Sequence, residues 1–307
     1  MKKKQSFILP KDIYILSSIR DLLRWAITQF NTNNICYGQG TNNELDEALQ
    51  LIFSSLKLST NYSKELLDSK LTKKEKKIVI NNIKKRVKER IPTSYLINKA
   101  WLCSLEFYVD ERVVIPRSPI GEIITDNFRD LIKFKPKNIL DVCTGSGCLS
   151  IIAAEVYSEA FIDASDISEG ALNVAKFNIK KYNLQNRINL VLSDLFSNIY
   201  FKSKKYDLII INPPYVNKTV MNSLPKEFLH EPEIGLFGGN DGLVLIRKIL
   251  NESANFLSDN GVLVCEVGEN MSIISQEYSN APFIWIDCID ESLGVFMINK
   301  KNLLMLK

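Results

Sequence analysis

A single histidine, His230, stands in a chain of 307 residues, and no two of its six cysteines are spaced C-x-x-C. A structural zinc site needs clustered thiolate and imidazole ligands, so the sequence argues against one. Cys36, Cys103, Cys143, Cys148, Cys265 and Cys288 are scattered singly, which is how reduced thiols are distributed in cytosolic proteins. No run approaches the roughly 18 uninterrupted apolar residues that a membrane-spanning helix needs. There is no internal repeat and no low-complexity linker. No Ser/His/Asp set or carboxylate pair points to hydrolytic chemistry.

What is present suits a folded protein. Hydrophobic residues make up 46% of the chain and charged residues 24%, enough to build real cores. The length accommodates two domains. Net charge is +4. Such a mild excess permits an anionic partner such as rRNA without requiring one. The opening "MKKKQSFILPKDIYIL" has the basic start of a signal peptide. However, Pro10, Lys11 and Asp12 break its apolar run, and no small-residue cleavage site follows. The expectation is a cytoplasmic protein with no membrane partner.

Two regions follow different patterns. Up to about residue 95 the apolar spacing is helical. Leu22, Leu23, Ala26, Ile27 and Phe30 form one stripe; Leu45, Ala48, Leu49, Ile52 and Leu56 form another. Thr72-Lys73-Lys74-Glu75 has capping-box spacing and predicts a helix that Ile91-Pro92 stops. In that helix Ile78, Val79, Ile83 and Val87 are expected to pack. The Lys/Arg run to Arg90 reads either as a solvated face or as a surface meeting rRNA. Residues 96–118 contain "LEFYVDERVVIP", which alternates like a hairpin and links the regions. From 119 to 307 strands and helices alternate. "NILDV", "FIDASD", "INLVLSD", "YDLIIIN" and "GVLVCEVG" read as strands of a mostly parallel, doubly wound α/β sheet. "PFIWIDCIDESLGVFMINK" adds a final antiparallel hairpin.

The first strand runs into Asp141-x-x-x-Gly145-x-Gly147 and then a helix, a place where glycine lets the backbone turn sharply and approach a ligand. A tight strand–helix turn alone would also explain it. Asp166 lies 21 positions after Gly145, near the offset at which an acid meets ribose hydroxyls. Capping of the helix after Ser168 is the competing reading. The dinucleotide pattern G-x-G-x-x-G is incomplete, since Ser150 stands where its third glycine belongs. The third strand ends in Asp194-Leu195, an acceptor beside an apolar surface, which suits an adenine ring. A nucleoside without phosphates fits this set, and S-adenosylmethionine is such a ligand.

The fourth strand stops in Asn212-Pro213-Pro214-Tyr215. Two prolines stiffen the backbone and leave carbonyls without local N–H partners. Asn212 adds a side-chain acceptor. Together these can hold both hydrogens of a planar –NH2, with Tyr215 against the flat group that carries it. That nitrogen is a weak nucleophile, and holding its hydrogens directs its lone pair at a donor methyl.

"DVCTGSG", "SDIS", "SDLF" and "INPPYV" together resemble class I S-adenosylmethionine-dependent methyltransferases, which have a Rossmann-like fold. "VVIPRSPIGE" and the helical N-terminal region resemble the protein-(glutamine-N5) methyltransferases. "LLRWAITQF", "CYGQGTNNELDEALQL", "ERIPTSYLINKAWLC" and "HEPEIGL" are similar to the branch acting on large-subunit ribosomal protein L-three. The resemblance covers nearly the whole chain. It implies glutamine N5-methylation of that protein, free or in a precursor particle, with S-adenosylmethionine as methyl donor. Residues 1–95 would recognise substrate. Asp141, Cys143, Thr144, Gly145, Ser146, Gly147, Asp166, Asp194, Leu195 and Asn212 would hold the methyl donor. Asn212, Pro213, Pro214 and Tyr215 would be catalytic, and no metal is implied. Cys143 replaces a frequent glycine. "IPRSPIGE" and "DVCTGSG" depart from the release-factor branch, whose Gly-Gly-Gln substrate is the alternative. A nucleic-acid amino group (adenine-N6 or guanine-N2) is a further one. Arg117, Glu231 and Glu266 read equally as site residues or as ion-pair partners.

Overall fold

The computed structural model describes residues 13–59, 61–288 and 293–306. The basic start with Pro10, Lys11 and Asp12 lies outside them, as do residues 289–292 within the expected final hairpin. The chain forms two compact units. One takes the chain up to Lys99 together with Pro225–His230; the other takes Ala100–Leu224 and the chain from Glu231 onward. No helix among the described residues is long and apolar enough to cross a membrane.

The first unit is helical: α1 Ile19–Thr32, α2 Glu44–Ser55, α3 Lys73–Lys88 and α4 Thr93–Ile97. The capping box at Thr72 forms, with Glu75 N–H donating to Thr72 Oγ1 at 3.3 Å and Thr72 N–H donating to Glu75 Oε2 at 2.8 Å. Arg90 adopts φ 63° and Pro92 follows, which ends α3. Leu22, Phe30, Leu51, Ile52, Phe53 and Ile83 make the centre of its core. Two helix faces differ from the sequence reading. On α2, Leu51 and Phe53 are buried while Leu45 is exposed. On α3, Ile78 is exposed, and Val79, Ile80, Ile83, Arg86 and Val87 face inward at a helical repeat. Arg86 leaves the basic face because it is needed inside, where its Nε meets Glu47 Oε1 at 2.6 Å.

The second unit starts with a hairpin, β1 Ala100–Leu102 and β2 Leu105–Phe107. It turns at Cys103 (φ 49°) and Ser104 (φ 64°), earlier than the alternation of Leu105–Pro116 suggests. Two consecutive positive φ values give the turn that matches strand twist. Beyond it Asp110 bends the chain, accepting from the Arg112 backbone N–H at 3.1 Å and from its Nε at 2.8 Å.

The main sheet comprises β3 Asn138–Val142, β4 Phe161–Asp166, β5 Ile188–Leu192, β6 Tyr206–Ile211, β7 Leu257–Gly268, β8 Ile284–Ile286 and β9 Gly294–Asn299. Its order is β5-β4-β3-β6-β7-β9-β8. The strands from β5 to β7 pair parallel, and β9 runs antiparallel to both β7 and β8. The helices between strands are α5 Ile120–Thr125, α6 Cys148–Val156, α7 Glu169–Lys181, α8 Lys218–Met221, α9 Val244–Glu252 and α10 Met271–Glu277, and α11 Lys300–Leu304 follows β9. Side-chain alternation divides the core in two. Ile139, Ile162, Leu208 and Val264 face α5, α6 and α7. Leu140, Ile209, Leu263 and Phe296 face α9 and α10. This is the doubly wound, Rossmann-like arrangement of class I methyltransferases, closed by an antiparallel hairpin. Strand order reverses between β3 and β6, and the crevice outside their carboxyl ends is where such sheets bind ligands.

Candidate active site

Register brings the site together. Val142 pairs with Ser165 on β4 and with Ile211 on β6, while Ile211 pairs with Cys265 on β7. The next residue of each strand is therefore Cys143, Asp166, Asn212 and Glu266, side by side at one sheet edge. Asp166 in turn pairs with Leu192, which places Ser193-Asp194-Leu195 beyond it.

The loop after β3 holds three left-handed residues, Cys143 (φ 60°), Gly145 (φ 55°) and Gly147 (φ 79°). The two glycines differ in purpose. A Cβ on Gly147 would sit 3.2 Å from Ala175 Cβ, so this position lets α7 come close. A Cβ on Gly145 would meet nothing within 4 Å, so it borders open space. Asp141 clamps the loop from beneath. Its Oδ2 accepts from Thr144 Oγ1 at 2.6 Å, Ser150 Oγ at 2.6 Å and Ser150 N–H at 3.1 Å. Its Oδ1 is buried with no hydrogen-bond partner among the described residues. Burial raises the Asp141 pKa to about 6 against these hydrogen bonds. Thr144 thus turns inward, and Ser150, absent from the expected site, completes the clamp. Its signal was visible as a serine at the third glycine position of the dinucleotide pattern. Burial and the neighbouring Asp166 and Asp141 keep the Cys143 thiol protonated.

Asp166 accepts from Gly145 N–H at 2.9 Å through Oδ2 and from Ser168 N–H at 2.9 Å through Oδ1. Ser168 itself caps α7. Burial raises the Asp166 pKa. Asp194 is exposed, while Leu195 is buried at φ 46°. Ile167, not singled out in the sequence, is 52% exposed directly after Asp166. An exposed isoleucine between two acceptors is an apolar platform at the same strand end. The set is acidic and apolar, with one unpartnered buried carboxylate oxygen and no Lys or Arg. It fits a cationic nucleoside such as S-adenosylmethionine and does not fit a polyphosphate.

Asn212 is partly exposed, and its side chain makes no hydrogen bond among the described residues. Nor do the Pro213 and Pro214 carbonyls accept a backbone hydrogen bond there. Tyr215 is held instead. Its hydroxyl donates to Glu266 Oε1 at 2.7 Å, and its carbonyl accepts from Asn270 Nδ2 at 3.0 Å. Ser118 Oγ donates to the other oxygen of Glu266. Burial first, then Glu266, drives the Tyr215 pKa well up; burial also raises that of Glu266. Three glycines let the loop close. A Cβ on Gly268 would strike the Tyr215 ring, one on Gly242 the Tyr215 carbonyl, and one on Gly238 would lie 2.8 Å from the Pro214 carbonyl. Gly242 has φ 81° and lies two residues before α9. Arg117 makes a two-pronged pair with Glu231, Nη1 to Oε1 at 2.6 Å and Nη2 to Oε2 at 2.8 Å. Ile115 N–H also donates to Glu231 Oε1 at 3.1 Å. Burial alone would lower the Arg117 pKa; Glu231 outweighs it and raises it. His230 belongs to the helical unit, with Nε2 2.8 Å from the Glu89 carbonyl oxygen.

The methyltransferase small domain family model matches residues 122–274. The chain is 43% identical over 291 residues to the ribosomal protein uL3 glutamine methyltransferase of Neisseria gonorrhoeae, covering 94% of this chain and 96% of that protein. It is equally similar, 43% over 291 residues, to the Neisseria meningitidis protein of the same name, 95% of which is covered. Among solved structures, the catalytic domain of hMettl16 in complex with MAT2A 3′UTR hairpin 1 shares the fold. It aligns with a TM-score of 0.51 at 16% identity, over 75% of this chain and 81% of that one.

Proposed function

The chain belongs to the family of ribosomal protein uL3 glutamine methyltransferases, and from that membership we propose that it methylates N5 of a glutamine side chain in uL3. Its methyl donor is S-adenosylmethionine, which supplies an electrophilic methyl group and departs as the thioether.

One observation carries the acceptor side. Three acceptors, Asn212 Oδ1 and the Pro213 and Pro214 carbonyls, stand at the carboxyl end of β6 without a hydrogen-bond partner among the described residues. Unpaired acceptors lose free energy wherever water is excluded, so a ligand with two N–H hydrogens stabilises them. A glutamine amide offers that pair of hydrogens on one planar nitrogen. Its lone pair is delocalised into the carbonyl and attacks poorly. Acceptors holding both hydrogens orient the lone pair and stabilise positive charge as it develops on nitrogen. The new N–C bond forms as the donor's C–S bond breaks, and one amide hydrogen leaves as a proton. Tyr215, fixed by Glu266, lies flat against the amide plane. Asp141, Cys143, Gly145, Asp166, Asp194 and Leu195 hold the donor.

The helical unit recognises the protein acceptor. On α3, Lys73, Lys74, Lys77 and Lys88 are exposed and offer contact to rRNA, which favours a precursor particle in the cytoplasm as the working acceptor. Methylation of the particle should then fall more steeply with salt than methylation of free uL3. Exchanging the helical unit for that of a release-factor enzyme should switch the acceptor.

The deciding experiment supplies methyl-labelled S-adenosylmethionine with purified uL3 and a release factor, followed by mass spectrometry of the labelled peptide. A methyl on a uL3 glutamine is expected. Label confined to the release factor, or to nucleic acid in a crude particle, would overturn the assignment.

A further inference from the structure

The chain crosses between the two units more often than a linker requires. It leaves the sheet unit after Leu224, gives Pro225–His230 to the helical unit, and returns at Glu231. Within that short segment Pro225, Lys226 and Leu229 are exposed, yet Glu227 is only 3% exposed. A carboxylate is buried like this only where cations and donors are provided. Here they are. Glu227 Oε1 accepts from Arg90 Nη1 at 2.9 Å and from Cys36 N–H at 3.1 Å, and lies 3.6 Å from Arg86 Nη1. Arg86 also binds Glu47, and its Nη2 donates to the Cys36 carbonyl at 2.7 Å. Arg90 Nη2 donates to the Asn33 carbonyl at 2.7 Å. Two arginines and two glutamates therefore balance inside the helical unit, and one of the glutamates comes from a distant stretch of the chain. The hydrogen bonds and arginines keep Glu227 ionised despite its burial.

What precedes Glu227 is the loop that follows Asn212–Tyr215. Val216 is pinned to the sheet unit, its N–H donating to the Leu236 carbonyl at 2.8 Å and its carbonyl accepting from Gly238 N–H at 2.9 Å. Between these anchors α8 buries no residue. The loop is thus fixed at its ends. In between, α8 is capped by Asn217, whose Oδ1 accepts from Val220 N–H at 3.0 Å. The only backbone bond from 217–224 to the rest of the sheet unit among the described residues is Lys218 N–H to the Asn240 carbonyl at 3.4 Å.

We infer that Glu227 is a positioning residue: by anchoring Pro225–His230 within the helical unit it sets the path of residues 217–224, and so ties recognition of the protein acceptor to the geometry beside Asn212–Tyr215. This rests on the acceptor assignment made above. Glu227 touches no reacting atom. Its effect is expected in how a folded protein acceptor is presented, not in donor binding.

Two variants of the full chain test this. Glu227→Gln removes the charge. Insertion of two glycines between Asn222 and Ser223 leaves every Glu227 bond intact and slackens only the loop. For both, KM for uL3 should rise about tenfold or more with the Kd for S-adenosylmethionine unchanged, and amide hydrogen exchange over 217–224 should accelerate. Glu227→Asp should restore part of the loss. Wild-type KM in the glycine-insertion variant, or unchanged exchange over 217–224 in both, overturns the inference. If the wild-type enzyme labels no uL3, the functional reading fails, and the exchange measurement alone decides whether Glu227 anchors the loop.

Discussion

Tyr215 donates its phenolic hydrogen to Glu266 across 2.7 Å, joining the end of the Asn-Pro-Pro-Tyr motif to a residue of the neighbouring strand β7. Ser118 occupies the carboxylate's other oxygen. The ring of Tyr215 is thereby fixed in orientation and kept neutral. Tyr215→Phe keeps the ring but leaves a buried carboxylate oxygen unpaired, a loss of about 1–3 kcal/mol. Turnover should fall roughly 10–100-fold, with the Kd for S-adenosylmethionine unaltered. A single-turnover methyl-transfer assay beside equilibrium dialysis checks both parts.

Gly268→Ala should be more damaging to transfer than to folding. Its Cβ would strike the Tyr215 ring, and the residue has φ 54°, where alanine is strained. Displacing the ring should reduce turnover by a factor of roughly 100 or more, since small misplacements of reacting groups carry large penalties. Thermal melting should show a destabilisation of about 1–3 kcal/mol.

Gly145 and Gly147 should separate binding from stability. Gly145→Ala meets no protein atom, so its folding cost is confined to the left-handed backbone, about 1–2 kcal/mol. It does intrude on the space assigned to the donor, so the Kd for S-adenosylmethionine should rise. Gly147→Ala crowds Ala175 and should chiefly lower the melting temperature. Calorimetric titration and melting of both variants would expose a reversal of this order.

Asp141 gives stability a pH dependence whose sign is fixed. Its folded pKa, about 6, lies above the ordinary aspartate value of 3.8. Between those values the folded state holds a proton that the unfolded chain has lost. The stability this residue contributes is fully present below about pH 4 and declines as pH rises to about 6, by roughly 3 kcal/mol over the window. Asp141→Asn abolishes the titration. Its stability relative to the parent should therefore climb from pH 4 to pH 6 and then level off in urea titrations at each pH.

Arg86→Met should unfold the helical unit readily. It leaves Glu47 and Glu227, both buried, with one fewer cation, and breaking such an arrangement destabilises by about 3–5 kcal/mol. Far-ultraviolet circular dichroism during thermal melting would register the loss of helix. A melting curve matching the parent would count against the buried network as a source of stability.

The sequence alone determined the local elements and the type of chemistry. Period-two and period-3.6 patterns fix strands and helices because each must present one apolar face, as in "NILDV", "FIDASD" and the capped helix at Thr72. Cys143–Gly147, Asp166 and Asn212–Tyr215 were legible because each follows a strand in its own short motif, and a strand's end lies at the sheet's edge. What only the tertiary structure decided depends on pairing between distant positions. Val142, Ser165, Ile211 and Cys265 must lie in register before Glu266 can meet Tyr215, and no local pattern encodes that. Ser118 lies in the motif "IPRSPIGE", but its partner Glu266 is reached only through the fold, and nothing in the neighbourhood of Asn270 marks it as a partner of Tyr215. Arg86 looked like part of a solvated basic face and is buried, because a charge turns inward wherever remote carboxylates such as Glu47 and Glu227 compensate it. Glu227, flanked by Lys226 and Phe228, meets Arg86 and Arg90 only when the chain re-enters the helical unit. Periodicity reads the face a residue shows, whereas the partner waiting there is set by the path of the whole chain.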